Sequence, residues 1–457
     1  MNIKSRKERL ERLDKEHLWH PFTQMKEWCE ESPVIITEGR GSFLKDITGK
    51  WYIDGVSSLW VSVHGHRKKE IDTAIKEQVD KISHSTLLGL THPPAIELAE
   101  KLVQFVNTPP AAGKRTLSRV FYSDNGSTSV EIALKIAYQY WQHKGIKEKK
   151  MFVSLKNAYH GDTVGAVSVG GIDLFHSIFS SLLFKTYHVP SPYCYRCELK
   201  REHPFCKLYC LTKIEETLKK HHKKIAALII EPMVQGAGGM IVSPPGYLKG
   251  VRKLCNKYKI LMIADEVATG FGRTGKMFAC GHEGVKPDIF CIAKGITGGY
   301  LPLAATMTTE KIYRAFLGRY KEFKTFFHGH TYTGNQLACA AALANLELFR
   351  KEKTLKKMQS KIAILKNGLS GIAKLPHAGD VRQKGFMVGI ELVNNKKTKE
   401  PYPLEYKMGM KVCNIAREKG LLIRPLGNVI VLMPPLSISN QELKRLIDIT
   451  AESIEES

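Results

Sequence analysis

The sequence predicts an α/β fold: a mostly parallel central sheet flanked by helices, with a smaller α+β domain drawn from both chain ends. Two observations predict it. Through the middle of the chain, short β-rich runs alternate with longer amphipathic stretches. Those runs are continuously apolar, as strands covered on both faces are. The flanks instead place strands close together with turns between them.

In chain order, "SFLKDITGKWYIDG" (42–55) reads as a hairpin turned at Thr48-Gly49. Central strands follow as "RVFYSD" (119–124), "MFVSL" (151–155), "AALIIEP" (226–232), "ILMIADE" (260–266) and "DIFCIAK" (288–294). Helical periodicity fills the gaps, in "STSVEIALKIAYQYWQHKG" and "GYLKGVRKLCNKYK". After residue 335 come the helix "NQLACAAALANLELFRK", the strand-bearing "GDVRQKGFMVGIELV" and "LLIRPLGNVIVLMPP", and a final helix. Residues 65–335 are expected to form the large domain, with 1–64 and 336–457 building the small one.

A composition of 43% hydrophobic and 25% charged residues excludes disordered and fibrous classes. The charged start, "MNIKSRKERLERLDKEHLWHPF", lacks the apolar core of a signal peptide. Apolar runs such as "IAALIIEPMV" (225–234) fall far short of the roughly 20 residues a membrane span needs. A cytoplasmic protein with no membrane partner is expected. The 69 basic and 44 acidic residues leave a charge of +25, scattered into modest clusters at 67–69, 147–150 and 219–224. That pattern reads as a solvated lysine-rich surface rather than a nucleic-acid footprint.

Ten cysteines, several inside apolar runs, fit reduced core residues. "CYRCELKREHPFCKLYC" is different. It sets Cys194-x2-Cys197 before Cys206-x3-Cys210, a spacing that could staple a loop around structural zinc, or carry free thiols. A basic nucleic-acid-binding protein with a zinc-stapled loop is therefore the reading from another class.

Three polar features sit at predicted strand ends. Asp265 and Glu266 close one buried strand, where a carboxylate is costly without a cation or a proton donor. Lys294 closes another. A lysine and a carboxylate facing one crevice match what pyridoxal phosphate needs: an amine to bond its aldehyde and an anion to keep its ring nitrogen protonated. The same pair would also serve as a buried salt bridge. "YSDNGSTSVEIALKIA" adds a strand running through Asn125-Gly126-Ser127 directly into a helix, a phosphate cradle of free amides and hydroxyls. Thr128 and Glu131 have capping-box spacing there. The loop "NAYHGDTVGA" carries Tyr159 and His160, and "FHGHTYTGN" could deliver Thr331 to a phosphate.

These motifs resemble the class III pyridoxal-phosphate aminotransferases over nearly the whole chain. "IADEVATGFGRTG" with Lys294 placed 29 residues after Asp265 is the most specific of them. "HLWHPFTQM", "DGVSSLWVSVHGH", "NAYHGDTVGAVSVGG" and "IRPLGNVIVLMPP" are similar to the branch that aminates 8-amino-7-oxononanoate in biotin synthesis. The resemblance implies fold type I, pyridoxal 5'-phosphate as cofactor and a homodimer with shared active sites. It implies that Lys294 bonds the cofactor and shuttles the proton, and that Asp265 pairs with the ring nitrogen. Tyr159 would stack on the ring, His160 beside it, and Asp162 would support the loop. Gly126 and Ser127 would hold the phosphate, with Thr331 and His330 reaching it from the neighbouring subunit.

On the substrate side the resemblance implies Phe22, Leu59, Trp60, Tyr159, Lys294 and Gly329, with Arg424 meeting the keto acid's carboxylate. Arg273 would be structural or shape the entrance. Phe22 and Leu59 depart from the tyrosine and tryptophan of many members, which bears on the donor: S-adenosylmethionine usually, lysine in some. Another class III aminotransferase, acting on an ω-amino acid or a diamine, is the nearer alternative.

Overall fold

In this computed structural model, residues 3–108 and 116–457 are described. An antiparallel meander comes first: β1 (Ile36–Arg40), β2 (Phe43–Asp46) and β3 (Trp51–Asp54). Its β2–β3 hairpin turns at Thr48-Gly49 as expected, and Asp46 fixes that turn by accepting from the Thr48 and Lys50 amides. Next are β4 (Arg119–Ser123), β5 (Met151–Leu155), β6 (Thr186–Val189) and β7 (Ile225–Ile230). A short ribbon, β8 (Val234–Gln235) with β9 (Ile241–Val242), leads to β10 (Leu261–Asp265), β11 (Ile289–Ile292) and β12 (Ala304–Thr308). The chain closes with β13 (Ala378–Lys384), β14 (Met387–Asn395), β15 (Glu400–Pro401), β16 (Leu421–Leu422), β17 (Arg424–Leu426) and β18 (Val429–Leu432).

The central sheet has the order β4-β12-β11-β10-β7-β5-β6. Only β12 runs antiparallel to its neighbours, so the sheet is mostly parallel. β7 and β10 are buried at every residue, which is why their sequences show no alternation. The helix Gly126–His143 lays Val130, Ala133 and Ala137 on one face, against Ile229, Ile263 and Ile289. Tyr247–Lys257 bridges β7 and β10 with Leu248 and Val251 buried in the other core layer. Both chain ends meet in the small sheet, where β16 pairs in parallel with β3.

One expectation from sequence needs correction. The helix at 126 starts one turn earlier than the Thr128/Glu131 spacing suggests. Asn125 is the N-cap, accepting from the Thr128 amide at 3.1 Å while the Thr128 hydroxyl accepts from the Asn125 amide. Asparagine caps well in the extended conformation Asn125 holds, which makes Thr128 the third helical residue. Glu131 is thereby free to accept from the Gly165 and Ala166 amides, at 2.7 and 3.2 Å.

Cys194, Cys197, Cys206 and Cys210 lie between β6 and β7. All are free thiols, and no group of three His, Cys, Asp or Glu among the described residues could hold a metal ion. Cys194 turns to the Pro192 carbonyl and Cys210 packs on the core. Among the described residues, no helix is long and apolar enough to cross a membrane.

Candidate active site

β10 and β11 lie side by side in parallel, with Asp265 opposite Cys291. Their carboxyl ends therefore open onto one edge, where ligands of such sheets gather. Asp265 is the last residue of β10 and Lys294 follows two residues after β11, in a short helical turn entered with φ of 47°. Successive strand residues point to opposite faces, and this separates the Asp265-Glu266 pair. Glu266 turns inward to the Ala279 and Cys280 amides, at 2.6 and 2.7 Å, and burial pushes its pKa up to about 7. Asp265 stays at the crevice. Its Oδ1 accepts from the Val267 amide at 3.0 Å, and its Oδ2 lies 2.7 Å from His160 Nδ1.

Lys294 Nζ makes no hydrogen bond or salt bridge among the described residues; it lies 4.7 Å from the Trp60 ring centre. Burial lowers its pKa, opposed by the charges of Asp265 and then Glu231. An amine in that state is available as a nucleophile.

Trp60 is presented by an unusual turn. Ser57, Ser58, Leu59 and Trp60 have φ of 51°, 51°, 88° and 69°, four successive left-handed residues. Each costs roughly 1–2 kcal/mol outside glycine, so the turn must be held. Asp54 accepts from the Ser58 amide and hydroxyl, both at 2.8 Å, and sits 2.9 Å from His66 Nε2. The buried Arg273 donates to Ser57 Oγ at 3.1 Å, the Ser62 carbonyl at 2.8 Å and the Pro434 carbonyl at 3.0 Å. Arg273 is thus structural at this site.

The cradle is tightly built. Asn125 takes the Thr128 amide, leaving the first amides of the helix, at Gly126 and Ser127, without an intrahelical acceptor. A Cβ at Gly126 would stand 2.7 Å from Val267, so a side chain there would collide with the segment after Asp265. Ser127 Oγ accepts from the Asp162 amide at 3.0 Å, and Asp162 accepts the Tyr159 hydroxyl at 2.7 Å. Burial, then Asp162, raises the Tyr159 pKa well above a phenol's ordinary value.

The other expected residues are placed as follows. Phe22 joins through Phe175, with ring centres 5.5 Å apart, and Phe175 in turn lies 6.4 Å from Tyr159. Leu59 is exposed beside Trp60. His160 is buried behind Asp265, so its action runs through that carboxylate. His330 stands 3.4 Å from Asp124 of its own chain, while Thr331 and Gly329 are exposed. Arg424 sits in β17, partly buried, and makes no hydrogen bond or salt bridge among the described residues. Sequence reasoning missed Glu231, Phe175 and Asp54. Glu231 carried the same signal as Asp265, a carboxylate closing an apolar strand.

A hydrogen-bond-free amine, a buried carboxylate fixed by two donors and a crowded helix start fit a cofactor with an aldehyde, a ring nitrogen and a phosphate. The comparisons with known proteins agree. Residues 25–454 match the family model described as aminotransferase class-III. The chain belongs to the class-III aminotransferase family, and pyridoxal 5'-phosphate is its cofactor. It is 56% identical to the adenosylmethionine-8-amino-7-oxononanoate aminotransferase of Geobacter sulfurreducens, over 96% of each chain. The crystal structure of the Methanocaldococcus jannaschii enzyme of that name superposes with a TM-score of 0.93, at 50% identity and 99% coverage of each chain. An amine transaminase from an uncultivated Pseudomonas species, solved with PLP bound, superposes at 0.90 with 35% identity, covering 96% of this chain and 98% of that one.

Proposed function

We propose that this protein transfers an amino group to 8-amino-7-oxononanoate, giving 7,8-diaminononanoate, with S-adenosylmethionine or lysine as donor. The observation that carries the reading is 56% identity over 96% of both chains to an enzyme of that name, with Lys294 and Asp265 both at the sheet edge. The bound cofactor supplies an aldehyde that accepts the amino group and a protonated ring that draws off electrons as a carbon–hydrogen bond breaks. Asp265, held by His160 and Val267, keeps negative charge at the ring nitrogen. Lys294 Nζ, deprotonated at lower pH than an ordinary lysine, anchors the cofactor and then carries the proton between carbons. Gly126 and Ser127 bind the phosphate. Tyr159, tethered to Asp162, covers the ring, and Trp60, Phe22 and Leu59 wall the substrate side.

The protein works as a cytoplasmic homodimer. Trp19, Leu88 and Tyr320 are 89%, 89% and 95% exposed, apolar surface that a second copy would cover. Thr331, exposed on the same chain, is free to reach a neighbour's phosphate site.

The deciding assay offers purified protein the keto acid with S-adenosylmethionine or with lysine and measures diaminononanoate. Product with one donor alone identifies that donor, and product with neither rejects the reading. A second reading is an amine or ω-amino acid transaminase, favoured by the 35% identical amine transaminase neighbour. It predicts turnover with pyruvate or 2-oxoglutarate in place of the keto acid.

A further inference from the structure

Glu231 follows the last residue of β7, is 6% exposed and makes no salt bridge among the described residues. Its oxygens each take one backbone N–H: Oε1 from Tyr159 at 3.1 Å, Oε2 from Gly236 at 2.8 Å. These amides belong to two neighbouring loops, which also meet where Gln235 Nε2 donates to the Lys156 carbonyl at 2.9 Å. The residue after Tyr159 is His160, which holds Asp265 at 2.7 Å. Gly236 lies under Trp60: a Cβ there would stand 3.2 Å from the indole, and that indole covers Lys294 Nζ at 4.7 Å.

We propose that Glu231 is a positioning residue for transamination: as a carboxylate it clamps the Tyr159–His160 loop to the Gly236 loop, and on protonation it releases one of them. The inference rests on reading this crevice as the transaminase site. An ionised carboxylate accepts both N–H groups, whereas the neutral acid turns an O–H donor toward one of them and leaves that amide unpaired. The titratable groups facing Glu231 are His160 and Tyr159 in their loop, Asp265 ending β10, and Lys294 after β11. Burial pushes the Glu231 pKa up to about 7; His160 opposes this, Asp265 adds to it, and the two amides oppose it. The clamp therefore opens as pH falls through about 7.

The test is amide hydrogen exchange on the holoenzyme from about pH 5.5 to about pH 8.5, corrected for intrinsic exchange. One of the two peptides containing Tyr159 or Gly236 should lose protection below about pH 7, while the helix Gly126–His143 should not. Glu231→Gln, whose amide oxygen can accept one N–H only, should exchange fast at that same loop at every pH. It should also lower kcat about tenfold with KM little changed, and lack the acid limb of the wild-type kcat profile. Protection at both loops that does not vary with pH in the wild type overturns the clamp. So does a Glu231→Gln enzyme with wild-type exchange and pH profile. If that variant does not fold, the wild-type exchange alone decides. The exchange arm needs no substrate, so its failure is distinct from failure to make diaminononanoate.

Discussion

Lys294 owes its chemistry to its setting: burial disfavours the ammonium, while Asp265 and Glu231 restrain the shift. In the apoenzyme, competitive labelling with a small amine-reactive reagent should give this lysine a titration midpoint below the ordinary 10.5. A midpoint at or above that value contradicts the setting. Glu266 works oppositely. Its folded pKa, about 7, lies above the ordinary 4.5, so the folded state prefers the proton. The stability this provides is complete below about pH 4.5 and is lost as pH rises through about 7, up to roughly 3 kcal/mol. Glu266→Gln, whatever it costs through its two amides, should flatten the slope of the thermal midpoint between those pH values. An unchanged slope refutes the assignment.

At the scale of the element, the left-handed Ser57–Trp60 turn is the clearest case of strain at the site. Leu59, exposed with φ of 88°, contributes little burial, so Leu59→Gly should leave stability unchanged or raise it by up to about 1 kcal/mol. A loss of more than about 1 kcal/mol in thermal or urea unfolding contradicts that account. Asp54→Ala removes the acceptor for the Ser58 amide and hydroxyl and should lower kcat about tenfold by freeing Trp60. Equal kcat would show that the turn holds itself. Elements of this kind mark the boundary of what sequence tells. The buried strands, the helix at 126 and the Asp265/Lys294 edge were legible because apolar runs ended in charged residues. The turn, the Asn125 cap in place of Thr128, and His160 behind Asp265 were not, since each is fixed by a contact distant in sequence or by competition between neighbouring caps.

For the molecule as a whole, the two chain ends meet in one sheet through β3 and β16, and the central sheet brings Asp265 and Lys294 to its carboxyl edge. Trp19, Leu88 and Tyr320 are exposed, and the homodimer proposed above would cover them. Light scattering should give about twice 51.4 kDa. Trp19→Glu combined with Leu88→Glu should shift the protein toward monomer and reduce activity together. Full activity in a monomeric form would contradict a shared site.

The central claim, that Lys294 covalently holds the cofactor, is tested most directly by adding pyridoxal phosphate, reducing with borohydride and mapping the modified peptide by mass. The account predicts a visible absorption band before reduction and one phosphopyridoxyl adduct, on Lys294. A colourless protein, or an adduct spread over surface lysines with Lys294 unmodified, would contradict it.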